Sequence, residues 1–194
     1  MTRVIRVPLY SLFDKKSNKY LWFHSRECGE YSKENDKSKT MKIAIAADHG
    51  GLEYKTLLIT DLEEAGHEVY DLGINVDEPD DYPDRAGDLA EYLLHGKAER
   101  GILICGSGVG VSIAANKYKG IRAGVCHDTY SAHQCVEHDD TNVLCIGQRV
   151  IGIELAREIV FTFLRAEFSH APRHVRRVDK ILAIETKNMK EVTI

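Results

Sequence analysis

Short apolar, β-branched runs alternate with amphipathic stretches along the chain from residue 41 onward. The apolar runs predict five strands, at 42–47, 67–73, 101–105, 122–126 and 142–147. The amphipathic stretches predict six helices, near 53–65, 83–95, 110–118, 130–138, 152–166 and 173–189. Because the connections between strands are too long for hairpins, the pattern indicates a parallel sheet covered by helices on both faces. We therefore expect an α/β fold, a doubly wound, Rossmann-like α/β/α domain with a five-stranded parallel sheet.

The first 40 residues do not follow this pattern. They end in the polar segment SKENDKSKT, which is typical of a linker, and the aromatic residues before it have no sustained period. Such a leader is compatible with a docking arm, a tail, or a translated upstream region that ends before Met41. We expect residues 1–40 to be an N-terminal extension that is disordered or outside the core, and residues 41–194 to form one domain.

Composition narrows the class of protein. The 194 residues are 43% hydrophobic and 29% charged with a net charge of -4, which argues against a general nucleic-acid or anionic-membrane binder. No apolar run of about 18 residues predicts a membrane span, and the interrupted N-terminal run lacks a secretory core. The cysteines form no C-x-x-C pair and are odd in number, namely Cys28, Cys105, Cys126, Cys135 and Cys145. We therefore expect a soluble protein of the reducing cytoplasm.

Polar and reactive side chains follow several predicted strands. Asp48 and His49 follow the first strand, Cys105 ends the third, and the segment 137–142 precedes the fifth. In doubly wound folds ligands bind outside the carboxyl ends of the strands. We expect these groups to collect on one rim of the sheet.

The segment CGSGVG, residues 105–110, is the strongest candidate for chemistry. Its glycine spacing matches a dinucleotide fingerprint weakly, and it fits neither a nucleophile elbow, a cysteine phosphatase loop nor a P-loop. The backbone N–H groups of such a turn form a concave site for a negatively charged oxygen and favour the thiolate form of Cys105. Cys105 is therefore a candidate nucleophile or base, with a buried inert cysteine as the alternative.

A basic segment, PRHVRRVDK, lies at residues 172–180. Arg173 and Arg177 are four residues apart, so on a helix they face one side and together with Arg149 are able to clamp a phosphate. A solvated basic helix face is the alternative. The apolar stripe opposite the arginines predicts that this C-terminal helix packs on a partner subunit.

A metal site is not expected. His133, Cys135 and His138 lie on one short predicted helix, where 133 and 135 point to different faces. No second cluster completes a tetrahedral ligand set.

The chain from Met41 to about Met189 resembles the type B ribose-5-phosphate isomerase family, which includes bacterial galactose-6-phosphate and allose-6-phosphate isomerases. The resemblance is carried by IAADHGG, DYPD, GILICGSGVGVSIAANKYKGIRA, HDDTNVLCIGQRV and RHVRRV. It implies an aldose-ketose isomerase that interconverts D-ribose 5-phosphate and D-ribulose 5-phosphate in the non-oxidative pentose phosphate pathway. A hexose 6-phosphate isomerase of the same family, or a non-catalytic sugar-phosphate or nucleotide binding module, are the alternatives.

The resemblance also implies roles for individual residues. Cys105 is the base that moves a proton between carbons one and two, and His138 is the acid that opens the furanose ring. The residues implied in substrate binding are Asp48, His49, Gly106, Ser107, Gly108, Val109, Gly110, Asp139, Arg149, Arg173 and Arg177. Asp139 stands where the family usually has Asn. No metal or organic cofactor is implied, and the family forms homodimers or homotetramers whose site is shared between two subunits.

Overall fold

The computed structural model describes residues 10–14, 19–23, 39–73 and 80–189. The chain divides into two compact units, Met1–Ser38 and Lys39–Ile194. In the first unit, β1 (Tyr10–Asp14) pairs antiparallel with β2 (Lys19–Phe23). The sequence pattern does not predict this pair, because the apolar positions there have no sustained period. That residues 1–40 lie outside the core stays a prediction.

The second unit alternates strands and helices. Its strands are β3 (Lys42–Ala47), β4 (Glu68–Asp71), β5 (Arg100–Cys105), β6 (Ala123–Val125) and β7 (Val143–Gly147). Its helices are α1 (Leu52–Glu64), α2 (Tyr82–Leu94), α3 (Val109–Ala115), α4 (Thr129–Asp139), α5 (Ile153–Arg165) and α6 (Pro172–Asn188). None of the helices in the described ranges combines the length and apolar character that crossing a bilayer requires.

The five strands form one parallel sheet in the order β4-β3-β5-β7-β6. Strand β5 lies at its centre, with Gly101 opposite Val143 and Cys105 opposite Gly147 on β7. The predicted doubly wound α/β fold is confirmed. Strands β3, β5 and β7 are almost wholly buried, as expected for parallel strands covered on both faces.

The two faces of the sheet carry separate apolar clusters. On one face Ile43, Ile102 and Leu144 pack under α1, α4 and α5. On the other face Ala44 and Leu103 pack under α2 and α3. Alternate residues of each strand point to opposite faces, so the continuous apolar runs of the sequence supply both clusters.

Two predicted elements end two or three residues earlier than the sequence pattern indicates. Helix α3 stops at Ala115 because the Asn116 amide donates to the Ala123 carbonyl and accepts from the Ala123 N–H, both at 2.9 Å. Strand β4 stops at Asp71, whose carboxylate pairs with the buried Lys55 ammonium at 2.7 Å. At both positions a side-chain interaction ends the helix or strand before the apolar pattern does.

Candidate active site

The carboxyl ends of β3 and β5 form the centre of the candidate site. These strands are neighbours, but β3 continues into α1 on one face of the sheet and β5 into α3 on the other. The loops that follow them therefore diverge and leave a crevice, which is the usual ligand position in a doubly wound sheet.

A pocket of about 420 Å³ occupies this crevice. Its volume lies within the roughly 300–1,000 Å³ that is typical of small-molecule sites. The described residues that line it are Asp48, Tyr82, Cys105, Gly106, Ser107, Gly110, Arg149 and Val150. All of these except Tyr82 and Val150 are site residues predicted from the sequence.

Cys105 is the last residue of β5, and it lines the pocket. The residue is 5% exposed, and the Gly108 N–H donates to its Sγ at 3.0 Å. Gly108 has a φ of 78°, which turns the backbone so that its N–H points back at the sulfur. Cys105 belongs to a buried apolar cluster and also lines the pocket, so its role as nucleophile or base stays a prediction.

The glycine loop is held against the end of β7. A Cβ on Gly147 would lie 2.6 Å from the Ser107 carbonyl carbon, so only glycine allows this approach. The Gln148 N–H donates to the Cys105 carbonyl and the Arg149 N–H to the Gly106 carbonyl, both at 3.0 Å. Two adjacent strands thus fix the conformation of the loop.

Arg149 supplies positive charge beside this loop. A Cβ on Gly106 would lie 3.5 to 3.7 Å from the Cδ, Nε and Cζ atoms of Arg149, so the guanidinium group rests over the loop. Arginine binds phosphate and carboxylate oxygens in a bidentate manner. The pocket therefore combines backbone donors, a thiol and one cation.

Asp48 forms the opposite wall of the pocket. The residue is 7% exposed, and its Oδ1 accepts from the Gly50 N–H at 2.8 Å. Burial raises the pKa of Asp48 above its usual value, against the opposing effects of the Gly50 hydrogen bond and the His49 and Arg149 charges. His49 is exposed and does not line the pocket in this chain, and its Nδ1 accepts from the Asp80 N–H at 3.4 Å.

Tyr82 lines the pocket but is not among the site residues predicted from the sequence. It begins α2, and a Cβ on Gly110 would lie 2.9 Å from its ring. The aromatic ring therefore packs on the first turn of α3 and closes one side of the pocket. The only signal in the sequence is its place in the motif DYPD.

The predicted site residues of α4 and α6 lie at the amino ends of the strands, whereas the pocket lies at the carboxyl ends. Strands of a parallel sheet run in one direction and the helices between them run back, so α4 ends beside the amino end of β7. The expectation that segment 137–142 shares the rim of Cys105 is therefore wrong. The register from Gly101 to Cys105 alone spans roughly 13 Å at about 3.3 Å per strand residue.

His138 stacks on His174 at this edge. The ring centroids are 4.0 Å apart, and the Gln134 amide nitrogen lies 3.1 Å from the His138 Nδ1. Neither histidine is among the described residues that line the pocket. His174 is absent from the predicted site residues, although it lies in the motif RHVRRV.

Hydrogen bonds hold His174 in its neutral form. Arg173 Nε donates to His174 Nε2 at 2.9 Å, and because arginine has no acceptor the ring proton resides on Nδ1, which lies 2.6 Å from Ser169 Oγ. Burial, aided by the nearby His138, Arg173 and Arg177 charges, lowers the pKa of His174. Ser169 also donates its N–H to the Glu137 carbonyl at 3.1 Å, which ties the start of α6 to the end of α4.

The residues predicted to bind phosphate lie in two places, at the carboxyl ends and at the amino ends of the strands. Arg173 and Arg177 are exposed on α6, one turn apart, as expected. Arg149 lines the pocket, whereas these two arginines do not. Asp139 lines a different cavity of about 300 Å³, beneath the C-terminal half of α6. Within the described residues, no group of three or more His, Cys, Asp or Glu side chains is arranged to hold a metal ion.

Comparison with known proteins gives one consistent match. Residues 43–181 match the family model described as Ribose/Galactose Isomerase. Ribose-5-phosphate isomerase B of Escherichia coli is 48% identical over 146 residues, covering 75% of this chain and 97% of that protein. D-erythrulose-4-phosphate isomerase 2 of Mycolicibacterium smegmatis is 44% identical over 148 residues, which cover 75% of this chain and 97% of that protein. The solved structure of ribose-5-phosphate isomerase B from Clostridium thermocellum matches with a TM-score of 0.74 and 49% identity. The match covers 76% of this chain and 99% of that structure.

Proposed function

The chain belongs to the ribose/galactose isomerase family, and on that premise we propose that it interconverts D-ribose 5-phosphate and D-ribulose 5-phosphate. The observation that carries the proposal is a cysteine that lines a pocket, with the Cys105 sulfur 3.0 Å from the Gly108 nitrogen of a glycine loop. This arrangement pairs a proton acceptor with donors for a neighbouring oxyanion.

In the proposed reaction, the Cys105 thiolate removes the proton from carbon two of the open-chain aldose. The electron pair moves into the carbon one to carbon two bond and generates an enediolate. Cys105 then returns the proton to carbon one, while a proton moves from the carbon-two oxygen to the carbon-one oxygen, which yields the ketose. The acid and base steps are each of the kind that contributes about 10² to 10⁴ in rate.

The negative charge of the enediolate requires donors fixed in advance. Gly106, Ser107 and Gly110 line the pocket beside Cys105, whereas Gly108 and Val109 are not among its lining residues and the Gly108 N–H donates to the Cys105 sulfur. Val109 donates its N–H to Ser107 Oγ at 3.3 Å, which orients that hydroxyl. Donors held in this way stabilise charge that develops only around the transition state.

The remaining predicted residues bind the two ends of the sugar phosphate. Asp48 and His49 contact the hydroxyl groups and the phosphate region, and Asp139 contacts a hydroxyl. Arg149, Arg173 and Arg177 bind the phosphate.

We further propose that two copies of the chain share each site. The pocket with Cys105 and Arg149 lies at the carboxyl edge of the sheet, whereas His138, Arg173 and Arg177 lie at the amino edge. Residues at opposite edges of one sheet do not reach one small substrate. In a twofold dimer, His138 of one subunit faces the Cys105 pocket of the other. The exposed apolar side chains of α6, Ile181, Leu182 and Ile184, supply surface for the interface.

The substrate is tested with a panel of sugar phosphates. We expect the highest kcat/KM for ribose 5-phosphate, because the ribose-5-phosphate isomerases B of Escherichia coli and Clostridium thermocellum are 48% and 49% identical to this chain. D-erythrulose 4-phosphate is the second candidate, favoured by a relative that is 44% identical and named for that substrate. The panel also contains allose 6-phosphate and galactose 6-phosphate, and each is assayed with and without EDTA.

A tenfold preference for another sugar phosphate would reassign the substrate. Absence of turnover, together with no exchange of the carbon-two hydrogen for solvent deuterium, would favour the non-catalytic binding module.

A mixing experiment tests the shared site. Cys105→Ala and His138→Asn homodimers are each expected to be nearly inactive. Random reassociation makes half of the dimers mixed, and each mixed dimer has one intact site of its two, so we expect about a quarter of wild-type activity. Differently tagged chains and tandem purification verify that mixed dimers form. Mixed dimers without recovered activity would place both residues in a site within one chain.

A further inference from the structure

Two cysteine sulfurs lie in contact beside the proposed acid, outside the pocket. Cys126 follows β6 and Cys135 lies on α4, and their Sγ atoms are 3.8 Å apart. Cys126 is 2% exposed within the apolar cluster beneath α4, whereas Cys135 is only partly buried. Neither thiol has a role in the proposed isomerisation.

The surroundings make the two thiols unequal. Cys126 donates its S–H to Cys135, and this hydrogen bond lowers the pKa of Cys135 below its usual value, aided by the Thr141 hydroxyl and the Val136 N–H. The same bond, with burial, raises the pKa of Cys126. Cys135 is thus the sulfur that loses its proton first, and it is also the more accessible one.

We propose that Cys126 and Cys135 form an oxidisable dithiol that a hydroperoxide converts into a disulfide. The Cys135 sulfur attacks the peroxide oxygen, breaks the O–O bond and becomes a sulfenic acid, with hydroxide as the leaving group. The Cys126 sulfur then attacks the Cys135 sulfur, and the sulfenic oxygen leaves as water with the Cys126 proton. The two thiols lose two electrons and the peroxide gains them. Such a pair remains reduced in the cytoplasm until an oxidant arrives.

The other described cysteines are placed differently. Cys145 lies on β7 in the apolar cluster on the other face of the sheet, where burial raises the pKa of its thiol. Cys105 lies in the pocket at the end of β5. Both belong to the same apolar cluster, on the face away from Cys126.

Disulfide formation would move the end of α4. The sulfurs must approach from 3.8 Å to the roughly 2.05 Å of an S–S bond. His138 lies three residues after Cys135 on the same helix, and the Thr141 N–H donates to the Cys135 carbonyl at 3.1 Å. A displacement of about 1 Å of a group in an active site lowers the reaction rate by up to roughly a hundredfold. This consequence for turnover rests on the proposed function of His138, whereas the disulfide itself does not.

Peptide mapping tests the disulfide without any assay of turnover. The full chain carrying Cys105→Ser is treated with hydrogen peroxide, alkylated, and digested without reduction by trypsin and a protease that cleaves before Asp. Cleavage before Asp128, Asp139 and Asp140 separates Cys126, Cys135 and Cys145 into different peptides. We expect the Cys126 and Cys135 peptides to be joined, with a mass about 2 Da below their sum, and separated again by dithiothreitol. The proposal would be overturned if Cys135 were found only as the sulfinic or sulfonic acid, or if it were linked to Cys145.

Turnover is then compared in chains that retain Cys105. Peroxide is expected to lower the activity of the parent chain at least tenfold, with a fraction restored by dithiothreitol. The restored fraction should be smaller in Cys135→Ser and Cys126→Ser, where dithiothreitol rescues only sulfenic acids such as that of Cys105, and Cys145→Ala, the matched control, should match the parent. A restored fraction in Cys135→Ser as large as that of the parent chain would count against the dithiol. A mapped disulfide with unchanged turnover would uphold the dithiol and remove His138 from the proposed site.

Discussion

Replacing Cys105 with alanine is expected to lower kcat roughly 10³- to 10⁴-fold, because the substitution removes the proposed proton acceptor. Among the described residues that line the pocket, the other ionisable side chains are Asp48, Tyr82 and Arg149, and none of them accepts the Gly108 hydrogen bond. KM is expected to change little, since the loop donors and Arg149 remain. The measurement is kcat and KM for ribose 5-phosphate, with exchange of the carbon-two hydrogen followed by NMR in D₂O.

Cys145→Ala is the matched control for this substitution. Cys145 lies on the neighbouring strand, belongs to the same apolar cluster and is wholly buried outside the pocket. Removing either sulfur should lower the free energy of unfolding by about 1 kcal/mol, so both variants test the loss of packing. Turnover should fall only in Cys105→Ala. Near-normal kcat in that variant, or equal losses in both, would remove Cys105 from the role of base.

Replacing Gly108 with alanine is expected to lower kcat about 10²- to 10³-fold, the usual effect of losing one preorganised donor, because the Gly108 N–H bonds to the Cys105 sulfur. Gly108 has a φ of 78°, and an added Cβ would lie 3.0 Å from the Ile146 carbonyl carbon on β7. The loop must shift away from β7, which moves the Gly108 N–H from the Cys105 sulfur. Strain at a positive φ should also lower the free energy of unfolding by about 1 to 3 kcal/mol. Turnover and thermal unfolding measure the two effects separately.

Gly66→Ala separates backbone strain from the effect on the site. Gly66 has a φ of 88° between α1 and β4, and an added Cβ would meet nothing within 4 Å. This variant should lose about 1 kcal/mol of stability and keep its kcat. If Gly108→Ala kept its kcat as well, the loop amide would not be a donor to the reaction.

The strands and the position of Cys105 were predictable because local pattern determines them. Runs such as Lys42–Ala47 are apolar throughout, which indicates strands buried on both faces, and the rule for doubly wound sheets then places Asp48 and Cys105 at adjacent strand ends. The glycine spacing predicts a loop whose amides face the thiol, and the Gly108 N–H does so.

The remaining features depend on tertiary contacts that no local pattern encodes. Tyr82 enters the pocket because α2 packs against α3, and Ser169 meets His174 because the chain between α5 and α6 returns to the end of α4. The edge at which His138 lies follows from the direction of α4. Segment 137–142 directly precedes β7 along the chain, and this proximity alone does not tell which end of the strand it adjoins.

The central position of β5 has a consequence for which part of the molecule opens first. Its amides bond to β3 and β7 on both sides, so their exchange with solvent deuterium should require nearly global unfolding. Strand β6 has three residues and a single neighbour, and α4 follows it, so amides there should exchange through smaller, local openings. The sulfur of Cys105 is thus anchored to the part of the fold that opens last, and His138 to a part that opens earlier.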